Sequence, residues 1–144
     1  MQVRRLTLAD LEIAKELLQE LGYAMPLGEL ARRITCVLAT ENHFAAVADD
    51  GGRVCGLIHA YERAALEKPC EAVVQALIVN HRARKTGVGR SLLLAAEAWA
   101  HAKGLNRVVL QSRVDRDDAR AFYEQLGYER AATAHLMIKR LVPS

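Results

Sequence analysis

The segment from Arg82 to Arg90, Arg-Ala-Arg-Lys-Thr-Gly-Val-Gly-Arg, places two glycines among four basic side chains between an apolar strand and a helix. The first backbone N–H groups of a helix have no partner within it and lie at the positive end of its dipole. Gly87 and Gly89 let the backbone approach a phosphate without an intervening Cβ. The segment therefore predicts a site for a ligand with several phosphates. The basic side chains that could reach those phosphates are Arg82, Arg84, Lys85 and Arg90.

Two other phosphate-binding patterns do not match this segment. A dinucleotide-binding fingerprint would need a third glycine where the chain has Leu92. A Walker loop would end in Gly-Lys-Ser/Thr, whereas the chain has Gly89-Arg90-Ser91. On the short motif alone, a glycine-bearing turn with a solvated basic rim remains an equal explanation.

The pattern of apolar residues predicts one domain, residues 1–144, of α/β class. The 51% hydrophobic share of this 144-residue chain is enough for one continuous core. Spacing and turn residues predict the order β-α-α-β-β-β-α-β-α-β-β. The predicted helices are 10–21, 27–39, from Gly87 to Gly104, and 117–125. The predicted strands are 3–6, 44–48, 54–61, 72–79, 107–112, 128–131 and 134–141.

Composition excludes several classes of protein. The odd count of cysteines, with no CxxC pair, argues against a disulfide framework and a zinc knuckle and favours a reducing cytoplasm. No apolar run reaches the roughly 18 residues that a membrane span requires, so no membrane association is expected. The net charge of +3 suits an anionic ligand but falls short of a nucleic-acid-binding stripe. The five histidines show no metal-ligand spacing, and no metal site is predicted.

Two motifs give the chain a resemblance to a known family. The pattern Leu77-x-Val79, followed after five positions by Arg84-x-x-Gly-x-Gly and an amphipathic helix, resembles the acetyl-coenzyme A signature of the GNAT superfamily of N-acetyltransferases. The late run Ala119-x-x-Phe122-Tyr123-Glu-x-x-Gly-Tyr is also similar to that family. The resemblance covers residues 3 to 141. It implies a mixed central sheet, mostly antiparallel with a parallel, splayed pair at the fourth and fifth strands, flanked by about four helices.

The resemblance also implies how acetyl-coenzyme A is held. Its pantetheine arm would lie between the strands ending at Val79 and Ser112, bonded to the backbone at Leu77 and Val79. The amide of Leu77 would stabilise the oxyanion that develops on the thioester. The pyrophosphate would lie on the loop and helix start formed by Arg84, Lys85, Thr86, Gly87, Val88, Gly89 and Arg90.

Tyr123 is the predicted general acid. In the family, a tyrosine at the matching position protonates the departing thiolate, and a phenol with a pKa of roughly 10 can donate to a thiolate of roughly 8 to 9. The alternative is that Tyr123 is a core aromatic beside Phe122, since most helix aromatics serve packing.

The sequence departs from the family pattern at two positions. Many members carry a glutamate where this chain has Val73, so Glu71 is the candidate proton acceptor, acting through a water, unless it is a solvated strand-end charge. Alternatively, a desolvated amine arrives neutral and needs no base. Arg116 stands where an asparagine often contacts the pantetheine arm; it could replace that contact or pair with Asp117 or Asp118.

These features favour an enzyme that transfers acetyl directly from acetyl-coenzyme A to a primary amine of a small molecule in a ternary complex. A subset of small-molecule acetyltransferases in the superfamily looks similar, with an arginine and a serine at the positions that match Arg116 and Ser112. His59 and Tyr61, on the neighbouring strand, could line the acceptor site. The alternatives are a protein N-terminal or lysine acetyltransferase and a non-catalytic acyl-coenzyme A-binding module. The sequence leaves open whether the chain forms a homodimer.

Overall fold

A computed structural model of the chain describes residues 1–112 and 117–142. They fall into two compact units, Met1–Leu110 and Gln111–Ser144, which are described separately. The first unit contains five strands and three helices. In chain order these are β1 (Gln2–Arg5), α1 (Leu11–Glu20), α2 (Leu27–Ala39), β2 (His43–Asp50), β3 (Arg53–Arg63), β4 (Glu71–Val79), α3 (Val88–Ala102) and β5 (Val108–Leu110).

The strands form one sheet in the order β1-β2-β3-β4-β5. The pairs from β1 to β4 are antiparallel, and β4 pairs with β5 in parallel. Helix α3 makes the crossover between those two parallel strands, as a strand–helix–strand unit requires. The predicted mixed sheet with a parallel fourth and fifth strand is therefore confirmed.

Side-chain alternation divides the sheet into two covered faces. On one face, residues such as Ala45, Leu57 and Ile78 share a core with Leu17 of α1 and Ile34 of α2. We call this the α1/α2 face.

The opposite face carries α3, which begins close to the sheet because of a glycine. Phe44 stacks on Trp99 of α3 at a centroid distance of 5.6 Å. A Cβ at Gly56 would lie 2.9 Å from Leu92 Cδ1 and 3.0 Å from Val88 Cγ1. Contacts that short are not tolerated, so the glycine lets the start of α3 pack directly against β3.

The start of the chain is fixed to the sheet by a capping box. Thr7 accepts a hydrogen bond from Ala9 N, and Asp10 accepts one from Thr7 N at 2.9 Å. Arg4 of β1 binds both Asp10 and Asp49 at 2.9 Å. The predicted cap at Thr7 is confirmed, although a short 3-10 turn, Leu8–Asp10, precedes α1.

The second unit contains α4 (Asp117–Gln125), and Gly127, with φ +94°, lies in the turn that follows it. The two strands predicted for 128–131 and 134–141 are wrong, because residues 128–140 take no strand pairing. A strand requires a partner ladder, and alternation in the sequence does not supply one. Apolar residues there are exposed, including Leu136 and Met137. The predicted strand 107–112 is also shorter than expected, at Val108–Leu110.

Within residues 1–112 and 117–142, every helix is too short or too polar to cross a lipid bilayer.

Candidate functional site

Strands β4 and β5 pair over three residues only and then part. Their register runs from Ala72↔Val108 to Val74↔Leu110. Immediately afterwards β4 contains a bulge, since Ala60 of β3 faces Val74 whereas His59 faces Ala76. Gln75 is the extra residue, and it is exposed. Because a bulge bends its strand and increases its twist, β4 turns at the point where pairing with β5 ends.

The remainder of β4 therefore has a strand on one side only. Residues 76–79 pair with β3, and no residue of β5 faces them. The backbone at Leu77 and Val79, predicted to hold a pantetheine arm, lies in this stretch, and both residues are half-buried. Within the first unit, this stretch of β4 has no strand neighbour on the side where β5 lies.

The loop after β4 is built by short-range hydrogen bonds. Asn80 N donates to Cys55 O at 2.7 Å, and the Asn80 side chain accepts from Arg82 N at 2.8 Å. A 3-10 turn, His81–Ala83, follows, and the hydroxyl of Thr86 donates to Ala83 O. Lys85 has φ +64°, in the left-handed region that side-chain-bearing residues rarely adopt. These bonds hold the loop turned towards the start of α3.

The first turn of α3 offers backbone donors. Gly87 precedes the helix with φ +89° and supplies no capping side chain. The first helical bond runs from Ser91 N to Gly87 O, so the N–H groups of residues 88–90 have no partner within the helix. A Cβ at Gly87 would meet no atom of the described residues within 4 Å, which leaves space there for a ligand. The arrangement fits the pyrophosphate of a coenzyme A.

The basic side chains of the loop point into solvent-accessible space and are not paired with acidic residues that the structure describes. Arg84, Lys85 and Arg90 are exposed and form no ion pair with any other residue that the structure describes. They are free to contact an anionic ligand.

Glu71, the predicted proton acceptor, lies in very different surroundings. Its side chain is fully buried and forms ion pairs with Arg63, with Lys68 Nζ at 3.1 Å and with Arg107 at 2.6 Å. Hydrogen bonds, first from Arg63 and then from Lys68 and Arg107, lower the pKa of Glu71 to about 2 in spite of its burial. A carboxylate with three cationic partners has little tendency to accept a proton. These contacts favour a structural role for Glu71.

Tyr123 lies on α4 of the second unit, in an aromatic cluster. Its ring makes edge contacts with Phe122 at 5.2 Å and with Tyr128 at 6.0 Å. Burial raises the pKa of Tyr123 above its ordinary value of 10. The phenol therefore keeps its proton at neutral pH, which both a general acid and a packing residue would do.

Arg116, the other predicted ligand contact, lies outside the described residues. Within the described ranges, no group of three or more His, Cys, Asp or Glu side chains is arranged to hold a metal ion.

One polar cluster was not predicted from the sequence. On the α1/α2 face, the imidazoles of His43 and His59 are hydrogen-bonded, Nδ1 to Nε2, at 2.9 Å. Tyr61 stacks on His43 at 5.4 Å. His59 and Tyr61 were predicted as acceptor-site residues, but His43 was not. The hairpin register, in which His43 faces Tyr61, is the signal that joins the three.

Comparisons with known proteins agree with this architecture. An N-acetyltransferase of Bacillus subtilis (strain 168), YhdJ, itself uncharacterized, is 25% identical over 113 residues, 78% of this chain and 80% of that protein. The aminoglycoside 6'-N-acetyltransferase AAC(6')-Ig of Acinetobacter haemolyticus superposes with a TM-score of 0.85 at 18% identity, covering 99% of this chain and 100% of the other. AAC(6')-Iy, solved in complex with CoA, gives a TM-score of 0.87 at 18% identity, covering 96% and 94%.

The family profile described as the Acetyltransferase (GNAT) family matches residues 11–128. This match spans strands β2 to β5, the loop that follows β4, the start of α3 and the aromatic cluster of α4. The chain belongs to the acetyltransferase (GNAT) family and is an N-acetyltransferase enzyme.

Proposed function

We propose that this enzyme transfers the acetyl group of acetyl-coenzyme A directly to a primary amine of a small molecule, within a ternary complex. The observation that carries the proposal is the row of amides at the start of α3 that have no partner within the helix, following the part of β4 that does not pair with β5. A diphosphate and an extended amide-containing arm are the two chemical groups that such a pair of surfaces binds.

Different residues bind different parts of acetyl-coenzyme A. The amides of Val88 and Gly89, with the charges of Lys85 and Arg90, hold the pyrophosphate. The backbone of Val79 binds the pantetheine arm, and the amide of Leu77 stabilises the negative charge that develops on the thioester oxygen. Oxyanion donors of this kind are worth about 3–4 kcal/mol in comparable sites. Arg116 adds a further contact to the arm.

Tyr123 completes the reaction as a general acid. When the carbon–sulfur bond breaks, its hydroxyl donates a proton to the coenzyme thiolate. Burial raises the pKa of Tyr123, so the phenol still carries its proton at neutral pH when the thiolate forms.

The choice of a small amine as acceptor is supported by the fold neighbours. Several structures with similar folds are aminoglycoside N-acetyltransferases. The proposal for this chain is of the same general kind, a low-molecular-weight primary amine, and it excludes neither a cationic nor a neutral molecule.

The experiment is an acceptor screen with the purified full chain and acetyl-coenzyme A, measured by release of free thiol. The four acceptors are kanamycin, spermidine, 2-phenylethylamine and a short lysine-containing peptide with a free N-terminus. We expect saturable thiol release with at least one small amine and a matching mass gain of one acetyl group. Turnover of the peptide alone would contradict the small-molecule assignment, and no release with any acceptor would contradict the proposed reaction.

Tyr123→Phe tests the assigned acid. Loss of a positioned proton donor should lower kcat by about ten- to a thousandfold while the Kd for coenzyme A stays unchanged. Tyr128→Phe is the matched control, since it alters the ring that packs on Tyr123 without removing the Tyr123 hydroxyl. If Tyr123→Phe keeps its kcat when chemistry limits the rate, Tyr123 is a packing residue.

A further inference from the structure

The acyl transfer requires a place for the proton that the amine nitrogen releases. Val73 cannot accept a proton, and the carboxylate of Glu71 is engaged by Arg63, Lys68 and Arg107. Protonation of Glu71 would cost the energy of those three contacts. The acceptor of the amine proton must therefore be another group near the part of β4 that does not pair with β5, or it must be water.

The histidine pair lies beside that part of β4. In the β3–β4 register His59 faces Ala76, the residue between the bulge at Gln75 and the predicted oxyanion donor Leu77. Facing residues of an antiparallel pair have Cα atoms roughly 4.5–5.5 Å apart. His59 therefore occupies the first register position beyond the last β4 residue that pairs with β5, Val74.

The two histidines also lie on the same face of the sheet as Val73, the position at which many family members carry a glutamate. His59 and Tyr61 alternate with buried Ile58 and Ala60 along β3, and Tyr61 faces Val73. A proton acceptor on this face approaches the reacting carbonyl from the same side as a side chain at position 73 would.

The two imidazoles are held in a fixed geometry. Their rings stack at a centroid distance of 5.1 Å with an interplanar angle of 26°, and the Nδ1–Nε2 distance is 2.9 Å. Tyr61 stacks on His43 at 18°. A hydrogen bond between two imidazoles leaves the Nδ1 of His59 and the Nε2 of His43 at its two ends, which is the arrangement of a proton relay.

We propose that His59 accepts the amine proton, directly or through one water, and passes a proton to His43, an inference that rests on the proposed N-acetyltransferase function. His59 is then a catalytic residue of the acceptor side. His43 acts through His59 and is a relay and positioning residue.

The proton balance of the step is complete. The amine nitrogen forms a bond to the thioester carbon, and one N–H proton goes to Nδ1 of His59. The Nε2 proton of His59 moves to Nδ1 of His43, and His43 releases its Nε2 proton to solvent. The carbon–sulfur bond breaks with its electron pair on sulfur, and Tyr123 protonates that thiolate. No oxidant, reductant or further reactant is needed.

The protonation state of His59 leaves a lone pair free to accept a proton, and its low basicity requires that the proton pass on to His43. Burial, and then the neighbouring His43, lower the pKa of His59 to about 4. The imidazole is therefore neutral at physiological pH and has a free lone pair.

The experiment uses the full chain with acetyl-coenzyme A and whichever acceptor of the four named above has the highest kcat. His59→Ala should lower kcat by about a hundredfold or more, with the Kd for coenzyme A and the KM for the amine changed little. Added imidazole should restore at least about a tenth of the lost rate, a result that a merely structural role would not give. His101→Ala, an exposed histidine on α3, is the matched control.

Two more variants keep the test decisive. His43→Gln should lower kcat by about tenfold, and combining it with His59→Gln should be no worse than His59→Gln alone, as expected for groups on one proton path. His59→Gln also replaces His59→Ala in the comparison of rates if the alanine variant does not fold. A His59 variant whose kcat stays within about threefold of the wild type, or a double variant whose losses multiply, would overturn the relay and leave the proposed function intact. Absence of turnover in the wild type itself would instead contradict the proposed function.

Discussion

The first unit contains two groups of basic side chains that differ in exposure and in their acidic partners. Those of the loop after β4, Arg84, Lys85 and Arg90, are exposed and have no acidic partner among the described residues. The second group, Arg63, Lys68 and Arg107, converges on the buried carboxylate of Glu71. We call these the loop cations and the Glu71 cluster.

The difference shows that residue type alone does not assign a cation to a ligand. The loop cations surround backbone amides that have no partner within the helix, so charge and hydrogen-bonding capacity are both present. In the Glu71 cluster all three cations contact one buried carboxylate, and these contacts join the ends of β3, β4 and the segment before β5. The first group should therefore control coenzyme affinity, and the second should control stability.

The largest effect is expected at the loop. In Gly87→Val, a β-branched residue would be forced to adopt φ +89° where the amides must meet the phosphates. We expect the Kd for coenzyme A, measured by isothermal titration, to rise by about a hundredfold or more, which corresponds to about 2.7 kcal/mol or more.

The opposite end of the same helix supplies the control. Gly104 follows α3 with φ +79°, and a Cβ there also meets none of the described atoms within 4 Å. Gly104→Val should therefore introduce similar backbone strain, about 1–3 kcal/mol, without changing the Kd for coenzyme A. Equal losses of affinity in the two variants would show that Gly87 acts on stability and not on the ligand.

The second-largest effect is expected on the free energy of unfolding when Glu71 is replaced. Glu71→Gln leaves three cations around a neutral amide, and we expect the free energy of unfolding to fall by about 1–3 kcal/mol in denaturant titrations. The Kd for coenzyme A should stay unchanged, and kcat should fall by tenfold or less, about the limit for a group that is not a direct base. A loss of kcat of several orders of magnitude would make Glu71 the base after all.

The lowered pKa of Glu71 also predicts that the stability of the chain depends on pH. The pKa of Glu71 is about 2 in the folded chain, below its ordinary value of 4.5. Its contribution to stability is complete above pH 4.5 and is lost as the pH falls towards 2, because the unfolded chain binds the proton first. Thermal unfolding of wild type and Glu71→Gln from pH 7 to pH 2 should therefore show the two Tm values converging at the acid end.

The loop could be predicted from sequence because its parts are contiguous. Gly87, the amides that follow it and the neighbouring cations lie within a few residues, so local spacing describes the whole site. The order of the first nine elements, from β1 to α4, follows for the same reason from helical and strand periodicity.

The Glu71 cluster and the histidine pair could not be predicted in this way. Glu71 meets Arg107 across 36 positions of chain, and His43 meets His59 across 16. Such contacts depend on strand register, and the bulge at Gln75 that sets the register next to the site leaves no clear pattern in the sequence. The two C-terminal strands were predicted wrongly because alternation does not supply a pairing partner.

A smaller effect distinguishes the individual loop cations. Lys85→Gln removes one exposed charge without altering the backbone amides, so we expect a three- to tenfold rise in the Kd for coenzyme A, about 0.7–1.4 kcal/mol. The loss should shrink as salt concentration increases, since exposed charges are screened. An affinity loss that persists at high salt would indicate that Lys85 supports the loop's shape at φ +64° and does not contact the phosphates.

The smallest effect is expected from the matching change in the Glu71 cluster, Lys68→Gln. Arg63 and Arg107 remain bound to Glu71, and Lys68 is about one-third exposed, with a 3.1 Å ion pair that solvent can screen. The free energy of unfolding should therefore fall by no more than about 1 kcal/mol, and the Kd for coenzyme A should not change. Lys68→Gln and Lys85→Gln remove the same charge, so measuring both affinities in one buffer compares the two regions directly. A Lys68→Gln variant that weakens coenzyme binding as much as Lys85→Gln does would show that net positive charge, and not the position of the loop cations, attracts the ligand.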